Sequence, residues 1–187
     1  MSSIRFTQAL YFLLVSAGAA IAQEPAVPGN LPSGAGVYYH QGEATWIVLT
    51  RPVMAATKTE GMEHFLDTRG WSNLSRTIVF DGAAAAIRIP DPKPTFYVRD
   101  IGSAQDVLIA QLTRKKDTRE IQASSTNASV NNKEGFKRGR VYRVTAIALS
   151  KELYSVTPEQ TLKPGEYLLV FGHAETSFEF GVQARSR

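Results

Sequence analysis

Apolar residues along this chain fall in short runs, most alternating with polar positions and most closed by Gly, Pro or Asn, which is a strand rhythm. Gly36-Val37-Tyr38-Tyr39 and Ala44-Thr45-Trp46-Ile47-Val48-Leu49-Thr50 flank the polar connection His40-Gln41-Gly42-Glu43 and predict a hairpin that ends at Pro52. Thr77-Ile78-Val79-Phe80 runs into Asp81-Gly82, two residues that tolerate positive φ, and residues 83–89 follow. This predicts a second hairpin. The four alanines 83–86 have helical propensity, but they continue into the alternating Ile87-Arg88-Ile89, which favours a strand. Pro90, Pro92 and Pro94 make the next stretch a stiff connector, since such prolines cannot sit inside a central strand.

Thr95-Phe96-Tyr97-Val98-Arg99 is the next predicted strand. Residues 107–113 and 118–123 form a hairpin around Arg114-Lys115-Lys116-Asp117, with Leu108, Ala110 and Leu112 inward and Gln111 and Thr113 toward water. Residues 124–135 are a polar Ser, Thr and Asn loop. Residues 141–149 alternate again, with Tyr142, Val144, Ala146 and Ala148 on one face. Leu153-Tyr154-Ser155-Val156-Thr157 forms a short piece before Pro158. Leu162-Lys163-Pro164-Gly165-Glu166-Tyr167-Leu168-Leu169-Val170-Phe171 is a Pro-Gly corner leading into a strand apolar on both faces. Phe178, Phe180 and Val182 then point inward and Glu179 outward. One stretch breaks the rhythm. In residues 53–75, Thr59 caps a predicted short helix whose Met62, Phe65 and Leu66 form an apolar stripe, with Gly70 as its stop.

Short strands at close spacing, without heptads or repeats, predict an all-β fold: an antiparallel β-sandwich with one short helical insertion. The organisation read from the chain is a cleavable signal peptide over 1–22, a flexible leader over 23–35, a single domain over 36–183 and a tail over 184–187. The leading residues carry Arg5 and no acid, run apolar, and close on Ala20-Ile21-Ala22, which places cleavage between Ala22 and Gln23. The apolar run is short of the ~20 residues that span a bilayer, so no integral span is expected after cleavage.

Removing 22 of 187 residues leaves 165, and removing Arg5 takes the net charge from +4 to +3. That excess gives no reason to expect a nucleic acid partner, though it favours an anionic envelope surface. Cysteine is absent, so the exported chain relies on its core and has no thiol nucleophile or thiolate metal site. The expected location is a periplasm or the cell exterior.

The corner Leu162-x-Pro164-Gly165-x-Tyr167 resembles the tyrosine corner of immunoglobulin-like and fibronectin type III-like sandwiches. The resemblance implies that the Tyr167 hydroxyl bonds to backbone a few residues upstream, with Tyr167, Pro164 and Gly165 as structural residues. Leu169 stands where an antibody domain carries cysteine, so the resemblance is to the disulfide-free branch, and Trp46 is a candidate core tryptophan. More loosely, Gly36-Val37-Tyr38-Tyr39, Phe96-Tyr97-Val98-Arg99, Pro164-Gly165-Glu166-Tyr167 and Phe180-Gly181-Val182 resemble uncharacterised exported bacterial proteins, which implies no activity.

Chemistry is sparse. There is no Gly-x-Ser-x-Gly elbow and no His-Glu-x-x-His or calcium loop. No phosphate-cradling glycine loop is present, so no catalytic residue and no cofactor is assigned. His64 with Asp67, and His173 with Glu175, each supply two metal donors at most. Glu120, Glu166 and Glu179 read as edge or surface charge. Lys137, Arg138, Arg140 and Arg143 form a candidate anion-binding patch, and Met62, Phe65 and Leu66 a candidate partner-binding stripe. Trp46, Trp71, Tyr38 and Tyr39 offer a rim that could stack on sugars, but two of them fall in strands, where core packing is commoner. The expected function is an exported, non-enzymatic binding or structural module of the cell envelope, meeting an envelope protein or an anionic glycan or lipid surface. The alternatives are an envelope hydrolase or carbohydrate-active enzyme without a recognisable motif, and an accessory subunit pairing through an edge strand.

Overall fold

Alternation decides the layers. The computed structural model describes residues 27–42, 45–60, 75–124, 135–136 and 140–184. Their strands are β1 (Gly36–Gln41), β2 (Thr45–Val48), β3 (Met54–Glu60), β4 (Ser75–Asp81), β5 (Arg88–Ile89), β6 (Phe96–Arg99) and, after a 3-10 turn at Ala104–Asp106, β7 (Val107–Arg114). They continue as β8 (Thr118–Ser124), β9 (Gly135–Phe136), β10 (Val141–Tyr142), β11 (Val144–Ala148), β12 (Leu153–Pro158), β13 (Gly165–Phe171) and β14 (His173–Val182).

Two sheets result. The smaller runs β11-β12-β6-β1-β2. The larger runs β3-β4-β8-β7-β13-β14-β5, with β9 beside β8 and β10 beside β7. Every described pairing is antiparallel except β5 on β14. The fold is an all-β sandwich. Val37, Tyr39, Phe96, Val98, Tyr154 and Val156 of the smaller sheet meet Ile109, Tyr167, Leu169, Phe178, Phe180 and Val182 of the larger one in one core. Phe96 packs on Phe180 at 4.8 Å, and Tyr167 stacks on Phe180 at 5.5 Å.

The large sheet is apolar on its other face too, which is why β13 reads as a continuous hydrophobic run. Leu168, Val170, Ala110 and Leu112 form a second core with Ile78, Phe80, Ile121 and Phe136. On the outer face of the small sheet, Tyr38, Tyr97 and Leu153 form a third cluster with Leu31 and Trp46. There the Trp46 indole donates to the Gly29 carbonyl at 3.2 Å, tying part of the leader to the sandwich.

Several expectations need correction. The Asp81-Gly82 pair does not close a hairpin. Gly82 has φ +78°, but the chain then runs irregularly to β5, which lies parallel to β14. Side chains satisfy the backbone that a strand partner would have taken. Arg119 donates to the Asp81 carbonyl at 2.6 Å and the Gly82 carbonyl at 2.9 Å, and Glu166 accepts from the Ala85 N–H at 2.7 Å.

Thr59 is not a helix cap, because it lies in β3 opposite Arg76, where pairing with β4 overrides a weak local helix signal. The rest of that predicted helix, with Met62, Phe65 and Leu66, lies outside the described residues. The helical piece that is described is the turn Ala104–Asp106, where Ser103 accepts from the Gln105 N–H at 3.3 Å. The single strand expected over 141–149 is two strands. β10 pairs with β7 in the large sheet, the chain crosses at Arg143, and β11 pairs with β12 in the small one.

Candidate functional site

The site follows from a change of partner along β7. Near the turn, Thr113 and Arg114 of β7 pair with Glu120 and Arg119 of β8. Two residues further along, the Gln111 N–H donates instead to the Arg140 carbonyl at 2.7 Å, and Ala110 and Ile109 pair with Val141 and Tyr142. β8 has meanwhile turned away to pair fully with β4, carrying Ile121 into the second core. The sheet therefore forks, and a cleft of about 330 Å³ opens between the prongs.

Register explains what lines it. Lys58, Thr77 and Gln122 form one cross-strand row over β3, β4 and β8, and Glu120 faces the same way two residues along. From the other prong come Gln111 and Thr113, with Lys115 from the hairpin turn and Arg140 from just before β10. Ile121, between Glu120 and Gln122, also borders the cleft, while its side chain packs into the second core. The turn is held by the Lys115 N–H donating to the Thr118 carbonyl at 2.8 Å.

Charge in the cleft is uneven. Lys58 and Lys115 approach the two oxygens of Glu120, each at 3.9 Å. Those separations are ion-pair contacts too long for hydrogen bonds, so the ammonium donors keep most of their bonding capacity. Arg140 adds a third cation. The floor is anchored in the core: the Tyr142 hydroxyl donates to Gln111 Oε1 at 3.4 Å, and the Tyr142 ring meets Tyr167 edge-on at 5.8 Å. Burial, then the adjacent Tyr142 hydroxyl, pushes the Tyr167 phenol well above its ordinary pKa, so it is a neutral hydrogen-bond donor.

The structure brings in one residue of the predicted anion-binding patch and separates it from another. Arg140 lines the cleft, while Arg143 is exposed at the crossing between the sheets. Lys137 and Arg138 lie outside the described residues, as do His64, Asp67 and Trp71. Pro164 and Gly165 lead into Tyr167, whose hydroxyl donates to the Lys163 carbonyl at 2.6 Å.

Two carboxylates expected at the surface are buried. Glu166 pairs with Arg88, and Glu179 pairs with Arg119 at 2.5 Å. The His40 ring lies 4.6 Å from Trp46, tilted at 55° to it. His173 and Glu175 are exposed on β14, and no group of three metal-ligating side chains occurs among the described residues. No helix among them is long and apolar enough to cross a membrane. Tyr38 and Trp46 pack edge-on at 6.4 Å and Tyr39 enters the main core, so packing uses those aromatics.

Sequence reading missed the cleft because Gln111 and Thr113 look like ordinary water-facing strand residues. A signal did exist. Gln111, Thr113, Glu120 and Gln122 put four polar side chains on one face of a single predicted hairpin. Comparison with protein-family models, curated proteins and solved structures gave no match.

Proposed function

We propose that this protein is an exported, non-enzymatic binding module of the cell envelope, and that the cleft at the fork is its ligand site. The observation that carries the reading is the cleft's lining, in which amides, hydroxyls and charged groups from both prongs converge on about 330 Å³. Convergent polar groups in a concave site fix the orientation of a small ligand, and this volume lies at the small end of ligand pockets.

Binding fits better than hydrolysis. Paired-carboxylate chemistry needs two acids across a cleft. The described lining supplies one, Glu120, already engaged by two lysines. The two buried glutamates, Glu166 and Glu179, are each occupied by an arginine and serve the scaffold. Export follows from the apolar leading segment ending in Ala22 before Gln23.

The test is a thermal-shift screen of the purified protein against soluble fragments of the envelope glycans, repeated with Gln111→Ala/Thr113→Ala. A stabilising fragment whose effect the double variant abolishes supports the reading. Stabilisation that persists unchanged in the variant places the ligand elsewhere and overturns the cleft as the site.

A further inference from the structure

We infer that the cleft selects a sugar bearing an anionic group, a carboxylate or a phosphate, of about one or two rings. The inference rests on the binding-site reading above and names its ligand class.

Three features combine. The first is charge: Lys58, Lys115 and Arg140 face a single carboxylate, Glu120, so the site carries an excess of positive charge. Both lysines contact Glu120 at 3.9 Å, and their side chains are 60% and 55% exposed, so each pair is weakly held and readily exchanged for a ligand anion. The second is geometry. Arg140 is half-buried at the rim and makes no ion pair among the described residues, and a guanidinium there offers the planar fork that matches a carboxylate or phosphate. The third is the remaining lining. Gln111 and Gln122 each present donor and acceptor groups, as hydroxyl-bearing rings require, and Glu120 can accept from a ring hydroxyl.

Size and polarity narrow the class. A volume of about 330 Å³ is too small for a long chain to enter whole. Apart from Ile121, whose side chain packs into the second core, the lining is polar or charged, which argues against a lipid tail or an aryl ligand.

The same three features predict an asymmetric response to mutation. Removing Arg140 removes an attractive group. Removing the Glu120 charge removes a repulsive one and releases both lysines, while the amide of Gln keeps an acceptor in place.

The experiment is calorimetric titration of the full purified protein at low salt with D-glucuronate, glucose 6-phosphate, glucose and inorganic phosphate. Wild type is compared with Arg140→Ala, Arg140→Lys and Glu120→Gln. Saturable binding of glucuronate or glucose 6-phosphate is expected, with the tighter of the two identifying carboxylate or phosphate as the anion. Arg140→Ala should weaken that Kd about ten-fold or more, Arg140→Lys less, and Glu120→Gln should tighten it on the order of three-fold. Added salt should weaken it further.

Glucose binding as tightly as its charged relatives would overturn the anion requirement and leave the cleft as a ligand site. Inorganic phosphate binding as tightly as glucose 6-phosphate would overturn the sugar requirement. If no probe binds and Glu120→Gln has no effect, the inference fails, while a hit in the glycan screen that depends on Gln111 and Thr113 would still uphold the site.

Discussion

The Tyr167 hydroxyl donates to the carbonyl of Lys163, four residues upstream, at 2.6 Å, and its ring passes over Gly165. The same construction occurs a second time. Tyr38 donates to the Gly34 carbonyl at 2.7 Å, also four residues upstream, with its ring over Gly36. A Cβ at Gly36 would come within 2.9 Å of the Tyr38 ring, so glycine two residues before the tyrosine lets the ring fold back. Each corner fixes the entry of an interior strand, β1 in the small sheet and β13 in the large one.

Replacing either tyrosine by phenylalanine keeps the ring and removes one hydrogen bond. Tyr167→Phe and Tyr38→Phe should each cost about 1 kcal/mol, because both bonds are partly buried and both acceptor residues, Lys163 and Gly34, are exposed, so water can reach the freed carbonyl. Urea denaturation of both variants measures this. An unchanged midpoint for Tyr167→Phe would remove the corner's energetic role.

Gly181 is held by a different constraint. It lies opposite Glu166 on β13, and a Cβ there would overlap the Arg88 guanidinium that pairs with Glu166. Gly181→Ala should therefore push the Arg88 guanidinium aside and weaken its pairing with buried Glu166, at a cost of about 1–3 kcal/mol, since Arg88 is one-third exposed and can shift. Gly29→Ala, with open space around its position, serves as the control and should be nearly neutral. Equal melting temperatures for the two variants would contradict the assignment.

Arg119 and Glu179 form the second buried pair, at 2.5 Å, beneath the loop after β4. Arg119→Met should destabilise by about 3–5 kcal/mol through the orphaned Glu179 carboxylate. Adding Glu179→Leu should recover part of that loss, since a buried apolar pair carries no uncompensated charge. A double-mutant cycle with coupling below about 0.5 kcal/mol would show that the two side chains act independently.

Alkali should unfold the protein through its buried phenols. Burial raises the Tyr154 pKa from 10.0 to about 12, and Tyr167 is raised further by burial and by Tyr142. The folded state therefore holds these protons more tightly than the unfolded chain. Their stabilisation is complete below pH 10 and declines as pH rises from 10 toward 12 and beyond. Circular dichroism and tyrosinate absorbance, followed together, should show unfolding and late ionisation coinciding in that range. Full ionisation of all tyrosines near pH 10 with the fold intact would contradict it.

Strand alternation made the sandwich legible in the sequence, and the Pro-Gly corner announced Tyr167. The hairpin carrying Lys115 was also readable, because its turn chemistry is local. What escaped was set by distant pairs. Asp81-Gly82 looks like a hairpin turn until Arg119, 37 residues later, takes the Gly82 carbonyl. Glu166 and Glu179 look like surface charge until their arginines arrive from other strands. The cleft depends on β7 exchanging β8 for the Arg140 segment, a choice made between chain segments rather than within one. Arg140 reads as anion-binding from its basic neighbours, yet its position in the cleft comes from its backbone bond to Gln111.

The most direct test of the central claim is an amide chemical-shift map of the labelled protein titrated with the tighter anionic sugar. The largest changes should fall on Gln111, Thr113, Glu120, Gln122 and Arg140, from both prongs of the fork, and should disappear in Arg140→Ala. Changes centred instead on Arg143 and the exposed residues of β11, with the fork unmoved, would contradict it.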